Sequence, residues 1–160
     1  MSRLIDAVWA RAAKHLQAVA KVVGQMEDLT QSRDVPESEH DIRAAASYLD
    51  DFYSAAESVF GIIASVVDGS MPKGEAWHAA LLDQIAHEVR GVRPAVISPD
   101  LYRKLGDYLS FRHVGRHAYG YELRWEKMRR LVESLPLVAA QLAEELEVFR
   151  RGIAELETDL

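Results

Sequence analysis

Residues 37–67, ESEHDIRAAASYLDDFYSAAESVFGIIASVV, decide how this chain folds. Within them Ile42, Ala45, Leu49, Phe52, Ala56, Val59, Ile63 and Val66 recur at spacings that alternate between three and four. An α-helix turns once every 3.6 residues, so this alternation lays all eight apolar side chains along one face. The stretch predicts an amphipathic helix of about seven turns, whose stripe other elements must cover.

Upstream, Ile5, Trp9, Ala12, Leu16, Val19, Val23 and Met26 repeat the pattern and predict a helix over about residues 3 to 30. Residues 30–36, TQSRDVP, form a polar connection, with Pro36 suited to a helix start. Downstream, residues 68–74, DGSMPKG, have the composition of a turn. Trp77, Leu81, Leu82, Ile85 and Val89 carry a shorter helix over about 75–90, and residues 91–97 read as a loop. Ser98 and Pro99 form an N-cap and first-position pair, opening a further helix. Trp125, Met128, Leu131, Val132 and Leu135 begin a last long helix, expected to kink near Pro136 and resume through Val138, Leu142, Leu146, Phe149 and Ile153. Strand signals are absent. Helices of about thirty residues span roughly 45 Å. The expected fold is therefore all-α: an antiparallel up-and-down bundle of four main helices plus a short one, in a single domain over 1–160.

The chain contains no cysteine, which excludes disulfides and thiolate metal sites. Arg11, Lys14 and Lys21 interrupt the N-terminal apolar pattern, and no segment reaches the ~18 apolar residues of a membrane span. A soluble, cytoplasmic protein is expected, with no membrane partner. The net charge of -6 argues against nucleic acid until its distribution is considered. Residues 103–130 hold eight Lys or Arg against three Asp or Glu, a local +5, which leaves -11 on the remainder. A basic zone on an acidic body suits a phosphate-bearing ligand gripped at one place; an ordinary solvated helix face is the competing reading.

That zone contains residues 111–121, FRHVGRHAYGY, with two His, two Arg and two Tyr in eleven positions. RNA needs no metal to be cut: its 2′-hydroxyl attacks the adjacent phosphate once a base removes the proton and cations stabilise the added charge. Imidazole is the natural proton shuttle near neutral pH, and the Arg fork is the natural clamp on phosphate oxygens. Arg112 and His117 supply those two parts. Five residues at about 100° each place them roughly 140° apart on a regular helix. A long Arg bending back, a turn loosened at Gly115, or a dimer in which each subunit contributes part of the site would reconcile the spacing, and the dimer is preferred. The alternative for the pair is structural: capping a helix or anchoring a buried carboxylate.

Arg112, His117 and Tyr119 form the pattern R-x-x-x-x-H-x-Y, which resembles the motif of the HEPN superfamily and, within it, the HepT-like toxins of HepT–MntA toxin–antitoxin modules. Residues 48–53 (YLDDFY), 77–82 (WHAALL) and 93–97 (RPAVI) also resemble the HepT-like pattern, so the likeness covers roughly residues 40 to 135. The resemblance implies a metal-independent endoribonuclease toxin of a type VII-like pair, needing no cofactor. It would act on an RNA substrate, with the motifs of two subunits facing each other in a homodimer or higher oligomer. Arg112 and His117 would be catalytic, and His113 and Arg116 auxiliary phosphate contacts. Tyr119 would be the acceptor of AMP from an MntA-like nucleotidyltransferase antitoxin; a packed tyrosine with a satisfied hydroxyl is its alternative. Tyr121 is expected to pack. His78 and His87 build no metal site, and His78 reads as helix framework. A non-catalytic HEPN module that binds RNA or nucleotide or regulates a nucleotidyltransferase, in the manner of an antitoxin-like interaction protein, is the alternative function.

Overall fold

In a computed structural model of the chain, residues 3–31 and 38–158 are described. They form five α-helices: α1 (Arg3–Gln31), α2 (Glu39–Ile63), α3 (Trp77–Ala86), α4 (Pro99–His117) and α5 (Trp125–Thr158). No strand occurs among the described residues; an isolated bridge between Val89 and Arg93 closes the loop ahead of α4. The all-α bundle expected from the apolar stripes is the fold observed. None of these helices is long and apolar enough to cross a membrane.

Helix α2 is the centre of the arrangement. Ser38 caps it, its hydroxyl accepting from the Asp41 N–H at 3.1 Å, while Glu39 and Asp41 sit in the first turn where the helix dipole favours negative charge. The predicted start at Pro36 and Glu37 lies outside the described residues. The helix touches all four others; α1 packs on α2 and α5, and α4 packs on α2, α3 and α5. Helices α1 and α4 share no contact, so they flank the α2–α5 pair from opposite sides. Leu49, Phe52, Val59, Phe60 and Ile63 of α2 are buried among Ile5, Val8 and Met26 of α1 and Leu135, Val138 and Leu142 of α5. Each large side chain buried this way contributes about 1.5–3 kcal/mol.

The stripe of α2 continues to Val66 as predicted, but its last turn, Ala64–Asp68, is a π-helix ended by Gly69. Gly69 has φ 68°, where a side chain would be strained, and donates its N–H to the Ala64 carbonyl. Just before it, Asp68 meets Arg93 in a two-pronged ion pair: Nε to Oδ1 at 2.6 Å and Nη2 to Oδ2 at 2.8 Å, with both side chains essentially sealed from solvent. The remaining donors of Arg93 reach the carbonyls of Gln84, His87 and Pro94, and the Gln84 amide donates to Asp68. This explains why α3 stops at Ala86 rather than near residue 90: Arg93 takes up the carbonyls that end the helix.

Helix α4 starts where the sequence places it, Ser98 capping the Leu101 N–H at 3.1 Å and Pro99 in the first turn. Ser98 in turn donates its N–H and hydroxyl to Glu145 of α5. Further along, the buried Tyr108 hydroxyl donates to the Leu131 carbonyl at 2.7 Å, and its ring meets Phe52 edge-on. These contacts pin α4 between α2 and α5. Helix α5 runs unbroken through Pro136, which ends neither the helix nor its apolar stripe.

Arg93→Met is expected to destabilise the fold by about 3–5 kcal/mol, because it strands the Asp68 carboxylate in a dry site. Urea unfolding followed by far-UV circular dichroism measures this; a loss below about 1 kcal/mol would show that water replaces the guanidinium.

Candidate functional site

Helix α4 carries the cluster of Arg and His residues on its last two turns, and its faces sort them. Arg112 and Arg116 are one turn apart and turn toward α2, where they meet its carboxylates. His113 and His117, also one turn apart, share the adjoining, exposed face, their rings edge-to-face with centroids 4.9 Å apart. Gly115 does not loosen the turn, and α4 is helical to His117. The 140° offset nevertheless does not separate the two halves of the motif. Arg112, His113, Arg116 and His117 all line one open groove of about 590 Å³, together with His78 of α3. A single chain therefore brings Arg112 and His117 to one cavity without a second subunit.

Arg112 is buried, 7% exposed, and its partners come from α2. Nη1 donates to Glu57 Oε1 at 3.1 Å, and Nε lies 3.1 Å from Asp50 Oδ1. The guanidinium also sits 5.6 Å from the centre of the Tyr53 ring. Asp50, Tyr53 and Glu57 follow one another at spacings of three and four, so successive turns of α2 present them together. Asp50 is shared: Arg116, half exposed, donates to both its oxygens at 3.2 and 3.3 Å. Glu57, itself only 7% exposed, is shared as well, its Oε2 lying 2.7 Å from His78 Nδ1. The result is a chain of contacts, Arg116–Asp50–Arg112–Glu57–His78, linking three helices. His78 is further fixed by the Trp77 ring, stacked at 3.8 Å.

This network revises the electrostatics read from the sequence. The local +5 counts neighbours along the chain, whereas Asp50 and Glu57 arrive from α2 and set two negative charges against Arg112 and Arg116. The site is a balanced ionic cluster with imidazoles at its rim. Burial pushes the Tyr53 phenol up, the Glu57 charge adds to the rise, and Arg112 opposes it. The Tyr53 hydroxyl is buried with no hydrogen-bond partner among the described residues.

Beyond α4 the chain turns at Ala118 into a short 3₁₀ segment, Gly120–Glu122. Tyr119 is 68% exposed and Tyr121 69%. Their rings lie parallel with centroids 5.6 Å apart, so Tyr121, expected to pack, does so against Tyr119 at the surface. The Arg43 guanidinium lies against Gly120, in space that a Cβ there would occupy. Exposed Val114 of α4 adds to the apolar surface beside the motif.

Asp50, Tyr53, Glu57 and His78 are the residues that the motif alone does not reveal. Asp50 and Tyr53 lie in the segment 48–53 and His78 in 77–82, two of the three stretches that resembled the family pattern, with His78 read there only as helix framework. Glu57 had one legible signal: it is a carboxylate directly after Ala56 of the apolar stripe of α2.

Two substitutions test this description. Glu57→Ala is expected to cost about 3 kcal/mol, since it leaves Arg112 buried with half its compensation. Tyr53→Phe removes a buried hydroxyl that has no partner among the described residues, and is expected to be neutral or to stabilise by up to about 1 kcal/mol. Thermal and urea unfolding measure both; a large loss in Tyr53→Phe would reveal a partner for the hydroxyl.

No match was found to a curated protein or to a solved structure. A family model described as HepT-like protein matches residues 44–153, more than half of the chain and the whole of the ionic cluster with its flanking histidines. With that match and the five-helix bundle, the chain belongs to the HepT-like family of the HEPN superfamily.

Proposed function

We propose that this protein is a metal-independent endoribonuclease, the toxin of a type VII-like toxin–antitoxin pair, cutting RNA at the groove beneath α4. The observation that carries the reading is the convergence of Arg112 and His117 on one open groove, against their separation on the helix surface. RNA supplies its own nucleophile, so the groove has to move protons and stabilise charge on phosphorus. His117 is the proton-transfer group. Arg112 presents charge from a guanidinium locked by Glu57 and Asp50, and such pre-set orientation is what transition-state stabilisation requires. His113 and the half-exposed Arg116 extend the phosphate contact. Exposed Val114, Tyr119 and Tyr121 beside the motif support assembly of two copies, or more, with their grooves adjoining.

Regulation by a nucleotidyltransferase antitoxin fits Tyr119. Its phenol is exposed, two residues past His117, within reach of an enzyme that transfers AMP. The added phosphodiester brings negative charge to the rim of the cluster and competes with RNA phosphate for Arg116 and Arg112.

A second reading, a non-catalytic module that binds RNA or nucleotide or regulates the nucleotidyltransferase, is favoured by one observation. Arg112 and Arg116 already hold carboxylates, as residues that only shape a binding surface do. The two readings separate on a defined RNA carrying tRNA-like loops. Cleavage is expected to persist in chelator, to leave 2′,3′-cyclic phosphate ends, and to fail at a 2′-deoxy position. His117→Ala and Arg112→Ala are each expected to lose ~10²-fold or more in rate. Binding without cleavage by the wild type would establish the second reading.

Incubated with ATP and its partner nucleotidyltransferase, the wild type is expected to gain the mass of AMP and lose activity, whereas Tyr119→Phe keeps its activity and gains no mass. An equal mass gain on Tyr119→Phe would move the modification elsewhere.

A further inference from the structure

Cleaving RNA through its 2′-hydroxyl takes two proton transfers, and the R-x-x-x-x-H-x-Y pattern offers one imidazole per chain for them. The 2′-oxygen loses its proton as it attacks phosphorus; the P–O5′ bond breaks, and the departing 5′-oxygen takes up a proton. The products are a 2′,3′-cyclic phosphate and a 5′-hydroxyl, with no water, oxidant or reductant consumed. One group accepts a proton and a second donates one.

His78 has the placement of that second group. It stands at the start of α3, lines the same groove as His117, and keeps about a third of its side chain exposed. Its Nδ1 is 2.7 Å from Glu57 Oε2. Against a carboxylate Nδ1 carries the proton, so in the neutral ring the free lone pair is on Nε2, the nitrogen left for a substrate. Glu57 is itself held from the other side by Arg112, and Trp77 stacks on the imidazole face, so the ring has little freedom to turn. A histidine that merely closed off a helix start would not need a place in the groove. His117, by contrast, is exposed at the last residue of α4, and its ring meets the adjacent His113.

We infer that His78 is the second proton-transfer residue of this groove: Glu57 holds it with Nε2 free to take the 2′-hydroxyl proton, while His117 delivers a proton to the 5′-oxygen. Glu57 thereby serves as the positioning residue for both Arg112 and His78. The inference rests on the nuclease reading above.

The test uses the full chain and an RNA whose scissile site has been mapped, resynthesised with sulfur in place of the bridging 5′-oxygen. A thiolate leaves without being protonated, so this substrate relieves only the loss of the acid. His78→Asn, whose amide can take the place of Nδ1–H on Glu57, is compared with His117→Ala, with circular dichroism and unfolding confirming that each is folded. On ordinary RNA both variants are expected to lose ~10²-fold or more in kcat. On the sulfur-bridged RNA His117→Ala is expected to recover most of that loss and His78→Asn none. Wild-type rates in His78→Asn, with His117→Ala inactive, would overturn this inference and leave the nuclease reading standing. Recovery in His78→Asn instead of His117→Ala would overturn the assignment of base and acid. Absence of cleavage by the wild type would overturn both readings together.

Discussion

A guanidinium buried at 7% exposure needs compensation, and in this molecule almost everything about the groove follows from how Arg112 receives it. Removing a charge from water costs several kcal/mol unless opposite charge and hydrogen bonds meet it inside. Asp50 and Glu57 provide both, from positions two turns apart on α2. Having been drawn inward, the two carboxylates have capacity to spare, and each takes a second cation or donor at the edge of the cluster: Arg116 on Asp50, His78 on Glu57. The need to neutralise one Arg thus sets the place of α4 against α2 and of the start of α3 against both.

The same compensation changes what the groove offers to a ligand. A cluster of two guanidinium groups and two carboxylates presents oriented donors rather than a field of unopposed positive charge. Arg116, half exposed, and the imidazoles of His78, His113 and His117 stand at the rim, with Glu75 and Ser110 beside them. Such a surface attracts a polyanion from a distance weakly but discriminates by geometry at contact. That behaviour is consistent with an acidic protein whose proposed substrate is recognised at one groove rather than along its length.

A second buried pair keeps the frame in which the first can form. Asp68 and Arg93 join the end of α2 to the loop after α3, with the donors of Arg93 fully occupied by Asp68 and three carbonyls. Helix α3 has only ten residues and could not hold its position by length. It is fastened at its C-terminal end by this pair and at its N-terminal end by His78 on Glu57, so both ends are referred to α2. The exposed tyrosines past α4 have no comparable anchor in the core; Tyr119 and Tyr121 lean on each other.

What the sequence determined by itself was everything that depends on local periodicity. The stripes through Ile42 to Val66 and Ile5 to Met26, the Ser98–Pro99 start and the R-x-x-x-x-H-x-Y spacing are statements about neighbours three to seven positions apart, and a helix converts them directly into faces and ends. Helix α4 was harder to read because its buried face includes Arg112 while Val114, two residues on, is 61% exposed, an inversion of the usual pattern. Only the tertiary structure decided the rest. It set Asp50 and Glu57 against a basic segment more than fifty residues away, brought His78 beside Glu57, ended α3 early on Arg93 and placed Tyr121 at the surface. The physical reason is that charge compensation and burial act through space. No window along the chain contains both a buried cation and the distant carboxylates that make its burial tolerable.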